Sequence, residues 1–469
     1  MRVGIFGSAF DPPHNEHINI CKRAVEQFNL DRLVLLPSYK APHKITTTSV
    51  KNRLDMAKLV AQNNNFEVCD IEISSKDKNY TYNTLPKLKK IYGEDIYFII
   101  GGDSILNFDK WYKPLEILKM VTLCVCSRGK NVEAVKEKCS FYTSNYNAKI
   151  LLIDYLPEDI SSTKIRTELF LQEQSQDIPD YINNYITENK VFNRYKPLIN
   201  KLKNNLSEAT FAHSLRTVKY AMQLNEKLGL DANEVFVASL LHDCAKNLLR
   251  NKPKEYNAEV AVNNPDLPSN KPKEFNAEVA VNNHDLLSNK PEEYNAEVAV
   301  NNPDLLSNAQ NDLRNNGKTT LRNDSNNTKS NNKSNTESNN KNIQNNSIIM
   351  QDIALNIPQD SVGTPVAHAF AGSIIAKNEY AIKDDNILQA IYYHTTGKAN
   401  MTQLQKLIYC ADTLELGRNY EGVERLRQVI EQDFEKGFRL TLMHGYDYLV
   451  EKNSDIYPLT IQAVNFYKE

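Results

Sequence analysis

The stretch GIFGSAFDPPHNEH, residues 4–17, decides the fold of the N-terminal half of this chain. Its apolar start predicts a short buried strand over residues 2–6, and the Asp-Pro-Pro that follows predicts a turn. A helix is then predicted over residues 14–28, with His14 and His17 in its first turn. Free backbone N–H groups and the positive end of the helix dipole favour anions there. The stretch therefore predicts a polyphosphate site, although a histidine pair at a helix start can also serve only as a cap.

Further motifs follow along the first 166 residues. They are PHK at 42–44, YTYNTL at 80–85, GGDS at 101–104 after the strand DIYFII, Trp111, and ISSTKIR at 160–166. In the last motif, hydroxyls and backbone amides precede a predicted helix whose Arg166 points back at the same loop. This arrangement predicts a second phosphate-binding segment, in which a serine also caps the helix.

Together, in this order and at these spacings, the motifs resemble those of the bacterial nicotinate-nucleotide adenylyltransferases over residues 1–193. The resemblance implies a Rossmann-like α/β domain with a parallel sheet, which transfers the adenylyl group of ATP to nicotinate mononucleotide and releases pyrophosphate. Mg²⁺ would accompany the ATP, held mainly by phosphates and water. The implied catalytic residues, which position and neutralise the phosphates during in-line attack, are His14, His17, Lys44 and Arg166. The implied nucleotide-binding residues are Gly7, Ser8, Phe10, Thr81, Asp103, Trp111, Tyr112, Ser161, Ser162 and Thr163.

Within this set, the resemblance places Trp111 against the pyridine ring, with Tyr112 and Thr81 beside it. Asp103 would face the adenosine side, at the end of a strand where open α/β sheets bind ligands. A single tryptophan is also commonly a packing residue, so the assignment of Trp111 depends on the resemblance.

Three positions depart from the family pattern G-G-[ST]-F-D-P-x-H-x-G-H. Ser8 replaces the second glycine, Ala9 replaces the hydroxyl residue, and Glu16 replaces the glycine between the histidines. A carboxylate at this last position would repel phosphate if it pointed inward. We expect Glu16 to point to solvent, where a negative charge at a helix N-terminus is favoured, and we expect activity to be retained.

The second half of the chain carries a separate set of metal-ligand residue types. An adjacent His-Asp pair ends the apolar helix VFVASLLHDCAK, and such a pair can present two ligands to one ion. The carboxylate of Asp243 can also bridge to a second ion. The full set consists of His213, His242, Asp243, His368, His394 and Asp412.

The motifs around these residues resemble those of the YqeK-type HD hydrolases, over residues 195–250 and 352–469. They read FAHSLRTV, LLHDCAK, TPVAHAFAG, AIYYHTTG, LIYCADTLELGR and DIYPLT. The resemblance implies an all-α HD domain that splits diadenosine tetraphosphate into two ADP with a metal-activated water. It implies an iron or manganese ion held by His213, His242, Asp243 and Asp412. The implied nucleotide contacts are Thr210, Lys246, His368, His394, Thr395 and Arg418, and the sequence leaves open whether His368 and His394 instead hold a second ion.

Residues 251–351 interrupt this predicted HD domain. Three near-identical units of nineteen residues begin at Asn251, Asn270 and Asn289, and an Asn/Ser/Lys-rich tract follows. Each unit is too polar to bury a core, so we predict a disordered insertion, with a small β-solenoid or partner-binding array as the alternative. Loop-closure entropy grows only logarithmically with length, so the metal site can still assemble around it.

Whole-chain properties predict a soluble cytoplasmic protein with two domains. The 469 residues contain 56 Lys and Arg against 58 Asp and Glu, and this balance without a basic stripe argues against a nucleic-acid binder. No signal peptide or membrane span is predicted. The seven cysteines show no CxxC pairing and are predicted to be reduced, mostly buried thiols, with VTLCVC forming a strand. Residues 181–194 would form the last helix of the first domain and the junction, and a homo-oligomer is an open expectation.

Other functions compete with this interpretation. The histidine motif is shared across the nucleotidyltransferase superfamily, so the acceptor could be another phosphate compound such as phosphopantetheine, although Trp111 and YTYNT argue against it. The HD half could bind nucleotides without hydrolysis, or could hydrolyse (p)ppGpp or a deoxynucleotide. The complete set of polar residues argues against a loss of hydrolysis.

Overall fold

The computed structural model describes residues 1–39, 46–75, 80–127, 132–156, 158, 160–250, 353 and 356–468. The predictions for Lys44 and its PHK motif, and for the insertion at 251–351, lie outside these residues.

The N-terminal half is built on a six-stranded parallel sheet with the strand order β3-β2-β1-β4-β5-β6. The strands β1 to β6 are Val3–Ser8, Arg32–Pro37, Glu67–Val68, Ile96–Gly101, Thr122–Cys126 and Ile150–Leu152. Val3 is paired with Arg32 on one side and with Ile96 on the other, so strand order reverses at β1. Crevices at such a reversal are where open α/β sheets bind ligands. The predicted Rossmann-like parallel fold is confirmed.

The strands are apolar because helices cover both faces of the sheet. Ile5, Val34, Leu123 and Val125 are fully buried. The run VTLCVC contributes β5, as predicted, and its two cysteines are buried and form no disulfide. The alternating positions of the two cysteines in this strand therefore reflect packing of the core rather than a metal site.

Nine helices are described around the sheet. They are α1 (Asn15–Phe28), α2 (Val50–Asn64), α3 (Ile71–Ser75), α4 (Thr81–Tyr92), α5 (Gly102–Leu106), α6 (Pro114–Met120), α7 (Val132–Tyr146), α8 (Ser162–Phe170) and α9 (Asp180–Glu188). Helix α1 agrees with the predicted residues 14–28. The predicted stretch 181–194 is helical only as far as Glu188, because Lys190 and Phe192 adopt left-handed backbone angles. The turn buries Phe192 against Phe170, with ring centroids 5.3 Å apart.

The described part of the C-terminal half is entirely helical, as predicted for an HD domain. Its helices are α10 (Lys196–Asn205), α11 (Glu208–Leu228), α12 (Ala232–Leu241), α13 (Lys246–Arg250), α14 (Ala367–Asn378), α15 (Asp385–Tyr393), α16 (Gln403–Leu414), α17 (Val423–Gln432), α18 (Phe434–Glu451) and α19 (Pro458–Tyr467). Helix α12 is buried on all sides from Val235 to Leu241, so it forms the centre of this half. Among the described helices, none is both long and apolar enough to cross a membrane.

The two halves pack together within one compact unit, through α8 of the first and α11 of the second. Phe170 at the end of α8 lies 5.1 Å from Tyr195 and 6.0 Å from Phe236, measured between ring centroids. Lys219 on α11 donates to Glu173 at 2.7 Å. The shared aromatic cluster fixes α8, which carries the ISSTKIR motif, against the helical half.

Candidate active sites

The first candidate site lies at the carboxyl end of β1, where the chain turns into α1. His14 precedes the first helical residue and is buried, and its ring stacks on that of His17 with centroids 3.6 Å apart. The His14 backbone N–H donates to His17 Nδ1 at 3.3 Å, and Ser8 Oγ lies 3.4 Å from His17 Nε2. The structure therefore brings the predicted histidine pair together at the start of the helix.

The ring of Phe10 packs against this histidine pair. Its side chain is 1% exposed, and its ring centroid lies 5.5 Å from that of His17. Phe10 adopts a left-handed backbone angle, φ 52°, which turns the chain away from β1. Its side chain thus packs against His17, and its contact with a nucleotide stays a prediction.

Arg166 is hydrogen-bonded to the same turn. It donates from Nη1 to the Asp11 carbonyl at 3.2 Å and from Nη2 to Thr163 Oγ1 at 3.1 Å. Burial lowers the pKa of Arg166, while the nearby charge of Asp11 opposes the shift. Ser161 caps α8 by accepting from the backbone N–H groups of Thr163 at 3.1 Å and Lys164 at 3.3 Å. Both predicted phosphate-binding segments therefore meet at one place.

A residue of the helical half also reaches this place. Ser161 Oγ donates a hydrogen bond to the carboxylate of Glu226, which lies near the end of α11. Nothing in the motifs pointed to Glu226, because it belongs to the other half of the chain and to no motif of its own.

Arg53 is a second residue that the sequence analysis missed. Its guanidinium is completely buried and donates to the carbonyls of Ala9 at 2.9 Å, Ser38 at 2.6 Å and Tyr39 at 3.0 Å. It thereby joins the turn after β1 to the turn after β2. A signal was present, since Arg53 falls on the apolar face of α2 together with Met56.

Asp11 holds the same turn from another side. Its carboxylate accepts from the Thr47 backbone N–H at 2.6 Å and from the Thr48 hydroxyl at 2.5 Å. The aspartate of the first motif is therefore a positioning residue for the turn, which orients the histidines.

We expect Arg53→Met to raise the KM for ATP and to lower the free energy of unfolding by about 2 to 4 kcal/mol, because three carbonyls lose a charged donor. ATP-dependent rates and thermal unfolding of the full chain would measure both effects. Lys51→Met on the exposed face of α2 is the matched control. An unchanged KM in a folded Arg53→Met protein would contradict the positioning role.

The predicted pyridine-binding residues lie near the carboxyl ends of the sheet. Trp111 is half-buried and packs on Phe108, with ring centroids 5.1 Å apart. Tyr112 is 47% exposed and its ring lies 5.2 Å from that of Tyr80, next to Thr81. These placements leave the exposed ring of Tyr112 more accessible than that of Trp111, and the binding roles stay predictions. Asp103 is exposed in the first turn of α5, directly after β4.

Glu72 braces the segment that carries Thr81. Its Oε1 accepts from Thr84 Oγ1 at 2.9 Å, which links α3 to α4. Burial raises the pKa of Glu72 to about 7, although the hydrogen bond from Thr84 opposes the shift. The folded state therefore holds the proton of Glu72 more tightly than the unfolded chain does.

A folded-state pKa above the unfolded value adds stability at low pH, and this contribution is lost as pH rises through about 7. We therefore expect Glu72→Gln to match the unsubstituted protein near pH 4, below the ordinary pKa of the carboxyl group, and to exceed its unfolding free energy by about 2 to 3 kcal/mol near pH 8. Thermal unfolding across this range measures the difference. Glu137→Gln, at an exposed position, should show no such trend, and a pH-independent difference would contradict the prediction.

The predicted exposure of Glu16 is wrong. Glu16 is only 3% exposed, and its Oε1 accepts from the Tyr155 hydroxyl at 3.0 Å and from Asn19 Nδ2 at 3.1 Å. The chain after β6 covers the start of α1, so a carboxylate at this position faces protein rather than solvent.

The second candidate site lies at the centre of the helical half, where five helices bring the predicted metal-ligand residues together. His213 comes from α11, and the His-Asp pair follows the end of α12. His213 Nε2 lies 3.1 Å from His242 Nε2 and 2.8 Å from Asp412 Oδ1 on α16. His368 Nε2 on α14 lies 3.2 Å from His394 Nε2, which follows α15.

The outer nitrogen of each imidazole is anchored. The Nδ1 atoms lie 2.7 Å from the backbone carbonyls of Ser239, Pro365 and Ile391 for His242, His368 and His394 respectively. The Nδ1 of His213 lies 3.1 Å from Glu415 Oε1. An Nδ1–H that donates outward leaves the Nε2 lone pair directed into the cluster, which is the tautomer that binds metal ions.

Asp243 joins the two pairs of histidines. Its Oδ2 lies 3.6 Å from His242 Nε2, and its Oδ1 lies 3.3 Å from His368 Nε2 and 3.8 Å from His394 Nε2. Oδ1 is buried and makes no hydrogen bond of good geometry within the described part of the chain. Two groups of potential ligands share His242: one also contains His213 and Asp412, and the other contains Asp243 and His394.

The electrostatics of the cluster keep carboxylates charged and two imidazoles neutral. Burial raises the pKa of Asp243 and of Asp412, but the hydrogen bonds and positive charges around each carboxylate outweigh burial, and the net pKa of each is lowered. Burial lowers the pKa of His242, and it lowers that of His394 to about 3. For His213, burial is outweighed by hydrogen bonds to Asp412 and to Glu415, which raise its pKa.

This donor set fits a divalent ion. The Nε2 atoms of each histidine pair lie 3.1 and 3.2 Å apart, a distance at which two nitrogen lone pairs repel unless a proton or a metal ion lies between them. The carboxylate oxygens of Asp243 and Asp412 supply further ligand atoms. His368 and His394 stand as close to Asp243 as the other histidines do. Their position is as suited to a second ion as to a nucleotide.

The predicted cations and hydroxyls surround the cluster. Lys246 Nζ donates to Asp243 Oδ2 at 2.7 Å, and Arg418 Nη2 donates to Asp412 Oδ1 at 2.6 Å. Thr395 Oγ1 lies 3.3 Å from His368 Nε2. Thr210 lies one turn before His213 on α11 and is buried. All four are adjacent to the cluster, and their contacts with a nucleotide stay predictions.

Glu415 is the residue of this site that the sequence analysis missed. It is buried, accepts from Arg216 Nε at 2.7 Å, and orients His213 through Nδ1. Burial disfavours its charge, but the hydrogen bonds from His213 and Arg216 lower its pKa to about 2. The sequence signal that could have identified Glu415 is the presence of an acidic residue three positions after Asp412.

Comparisons with known proteins divide the chain in the same way. Residues 5–168 match the cytidylyltransferase-like family, and residues 210–289 match the HD domain family, the last part of which lies outside the described residues. A probable nicotinate-nucleotide adenylyltransferase of Shewanella sp. (strain ANA-3) is 34% identical over 211 residues, which are 41% of this chain and 99% of that protein. Another, of Clostridium botulinum (strain Loch Maree / Type A3), is 37% identical over 41% of this chain and 99% of its own length. A probable nicotinate-nucleotide adenylyltransferase/Ap4A hydrolase of Mycoplasma genitalium is 33% identical over 53% of this chain and 67% of that protein.

Proposed function

Because this chain belongs to the nicotinate-nucleotide adenylyltransferase family and joins an HD domain to it, we propose that its sheet domain transfers the adenylyl group of ATP to nicotinate mononucleotide. The observation that carries the proposal is the meeting of His14, His17 and Arg166 at the carboxyl end of β1. The products are nicotinate adenine dinucleotide and pyrophosphate.

In this reaction the phosphate of the mononucleotide attacks the α-phosphorus of ATP while the bond to pyrophosphate breaks. His14 and His17 present imidazole N–H donors to the phosphates, and Arg166 adds a fixed positive charge. Stacking and burial hold these groups in place before the substrates bind, which lowers the cost of organising them. Mg²⁺ bound with ATP would neutralise further phosphate charge, and Lys44 keeps its predicted role there.

The helical half is proposed to hydrolyse diadenosine tetraphosphate to two ADP. An ion at the cluster would be held by His213, His242, Asp243 and Asp412, and iron and manganese suit this donor set. His368 and His394 would contact the nucleotide or hold a second ion. Such an ion would supply a water of lowered pKa and would polarise a phosphoryl oxygen. Lys246 and Arg418 are the cations beside the cluster and would balance the charge of the polyphosphate.

The domain limits 1–193, 195–250 and 352–469 are part of the same proposal. A cytoplasmic location and a homo-oligomer stay predictions.

The test uses the full chain in two assays. In the first, ATP and nicotinate mononucleotide should yield nicotinate adenine dinucleotide, while phosphopantetheine should not be adenylylated. In the second, diadenosine tetraphosphate should release ADP only when iron or manganese is supplied. If the folded, metal-loaded protein releases no ADP from diadenosine tetraphosphate but hydrolyses (p)ppGpp or a deoxynucleotide, the proposed substrate is wrong. If it hydrolyses no nucleotide, this half is a binding module.

A further inference from the structure

Glu226 of the helical half lies beside the ISSTKIR segment of the sheet domain. Ser161 Oγ donates a hydrogen bond to the Glu226 carboxylate, and the same oxygen accepts from the backbone N–H groups of Thr163 and Lys164. A hydroxyl group has one proton to donate. A phosphate oxygen that accepts a hydrogen bond from Ser161 must therefore displace the carboxylate first.

The charge of Glu226 also acts on Arg166. This guanidinium donates to the Asp11 carbonyl at 3.2 Å and to Thr163 Oγ1 at 3.1 Å, at the place where both phosphate-binding segments meet. Burial lowers the pKa of Arg166, and the charges of Asp11 and Glu226 oppose the shift. A polyphosphate that approaches Arg166 therefore also meets the negative charge of Glu226, which repels it.

Packing between the two halves holds Glu226 at this position. It lies in the last turn of α11, which packs against α8, and two turns earlier Lys219 donates to Glu173 at 2.7 Å. Lys164 in the first turn of α8 is paired with Asp177 at 2.9 Å. Within the described part of the chain, Glu226 forms no ion pair of its own. Its carboxylate therefore keeps a full negative charge beside the segment.

We propose that Glu226 competes with the phosphates of ATP at Ser161 and Arg166, so that the helical half lowers the affinity of the sheet domain for ATP. The inference rests on the proposed transferase function, because it takes the phosphates of ATP to bind at this segment. When ATP binds, the Ser161 hydroxyl turns from Glu226 to a phosphate oxygen, and the two halves lose this contact. By thermodynamic reciprocity, a stronger contact between the halves weakens ATP binding.

Steady-state kinetics of the full chain with ATP and nicotinate mononucleotide test the competition. Glu226→Ala removes both the charge and the acceptor, so the KM for ATP should fall by about threefold to tenfold with little change in kcat. Glu226→Gln keeps an acceptor, so its KM should fall less, and the difference from the unsubstituted protein should shrink at high ionic strength. Glu451→Ala at the exposed end of α18 makes the same change in net charge and is the matched control.

A double-mutant cycle with Ser161→Ala locates the effect. In a chain without the Ser161 hydroxyl, Glu226→Ala should lower the KM for ATP by a clearly smaller factor, because the carboxylate and the phosphate no longer share a donor. Damage to the fold would raise the KM or lower kcat, so it cannot imitate the expected result. An unchanged KM in Glu226→Ala would overturn the competition, and a higher KM in a folded protein would show that Glu226 assists ATP binding instead.

Equilibrium binding of ATP to the full chain separates this inference from the proposed function. Tighter binding in Glu226→Ala that depends on Ser161, in a protein that makes no nicotinate adenine dinucleotide, would keep the competition and overturn the transferase. An active transferase that binds ATP equally well with and without the Glu226 carboxylate would overturn the competition alone.

Discussion

Replacing Asp243 with asparagine is expected to lower metal-dependent release of ADP from diadenosine tetraphosphate by about a thousandfold or more. The carboxylate of Asp243 lies within 4 Å of an Nε2 atom of each of the four histidines, so its charge acts on both pairs. Asparagine keeps the shape but supplies a weaker, neutral oxygen. Bound metal should fall together with the rate.

ADP release and metal content of the full chain measure these effects side by side. Asp447→Asn on the exposed face of α18 makes the same chemical change outside the site and should leave both values unaltered. Unchanged adenylyl transfer in Asp243→Asn would report that the chain still folds. Full hydrolysis with normal metal content in this variant would contradict the proposed centre.

Replacing His17 with alanine is expected to lower the rate of adenylyl transfer by about a hundredfold to a thousandfold, the usual cost of losing one fixed donor to a developing charge. The loss should appear mainly in kcat, because the ground-state phosphates keep their other contacts. His17 also supports the His14 ring, so some effect on KM for ATP is expected as well.

Steady-state kinetics with ATP and nicotinate mononucleotide test this expectation. His444→Ala is the matched control for adenylyl transfer, since His444 lies on α18 of the helical half and stacks on Tyr420. Hydrolysis of diadenosine tetraphosphate by His17→Ala should continue at the original rate. A variant with unchanged kcat would restrict His17 to substrate binding.

Local sequence patterns were sufficient for much of the fold. The apolar run before residue 9 and the Asp-Pro-Pro turn predict β1 and the start of α1, and the structure agrees to within two residues. Apolar character on all sides likewise predicts α12 as a buried helix that ends at the His-Asp pair. These features depend on neighbouring residues, so a single stretch contains the information.

Contacts between residues that are distant in the chain could not be predicted from local sequence patterns. Arg53 hydrogen-bonds to Ala9, and Glu415 hydrogen-bonds to His213, which are distant from them in the chain. The sequence around a charged side chain does not show which distant residue it contacts. Glu16 was predicted to face solvent because helix starts favour exposed negative charge. The chain after β6 covers it instead, and that contact joins residues 139 positions apart.

The sequence by itself determined the chemistry that each half can offer: two histidines at a helix start in one, and four histidines with two aspartates in the other. The tertiary structure alone decided which atoms face one another. It turned every Nε2 of the second cluster inward by anchoring Nδ1, placed Asp243 between the histidine pairs, and brought Glu226 of the helical half to Ser161 of the sheet half. Residue type fixes what a group can bind, whereas packing between distant segments fixes its direction, tautomer and charge.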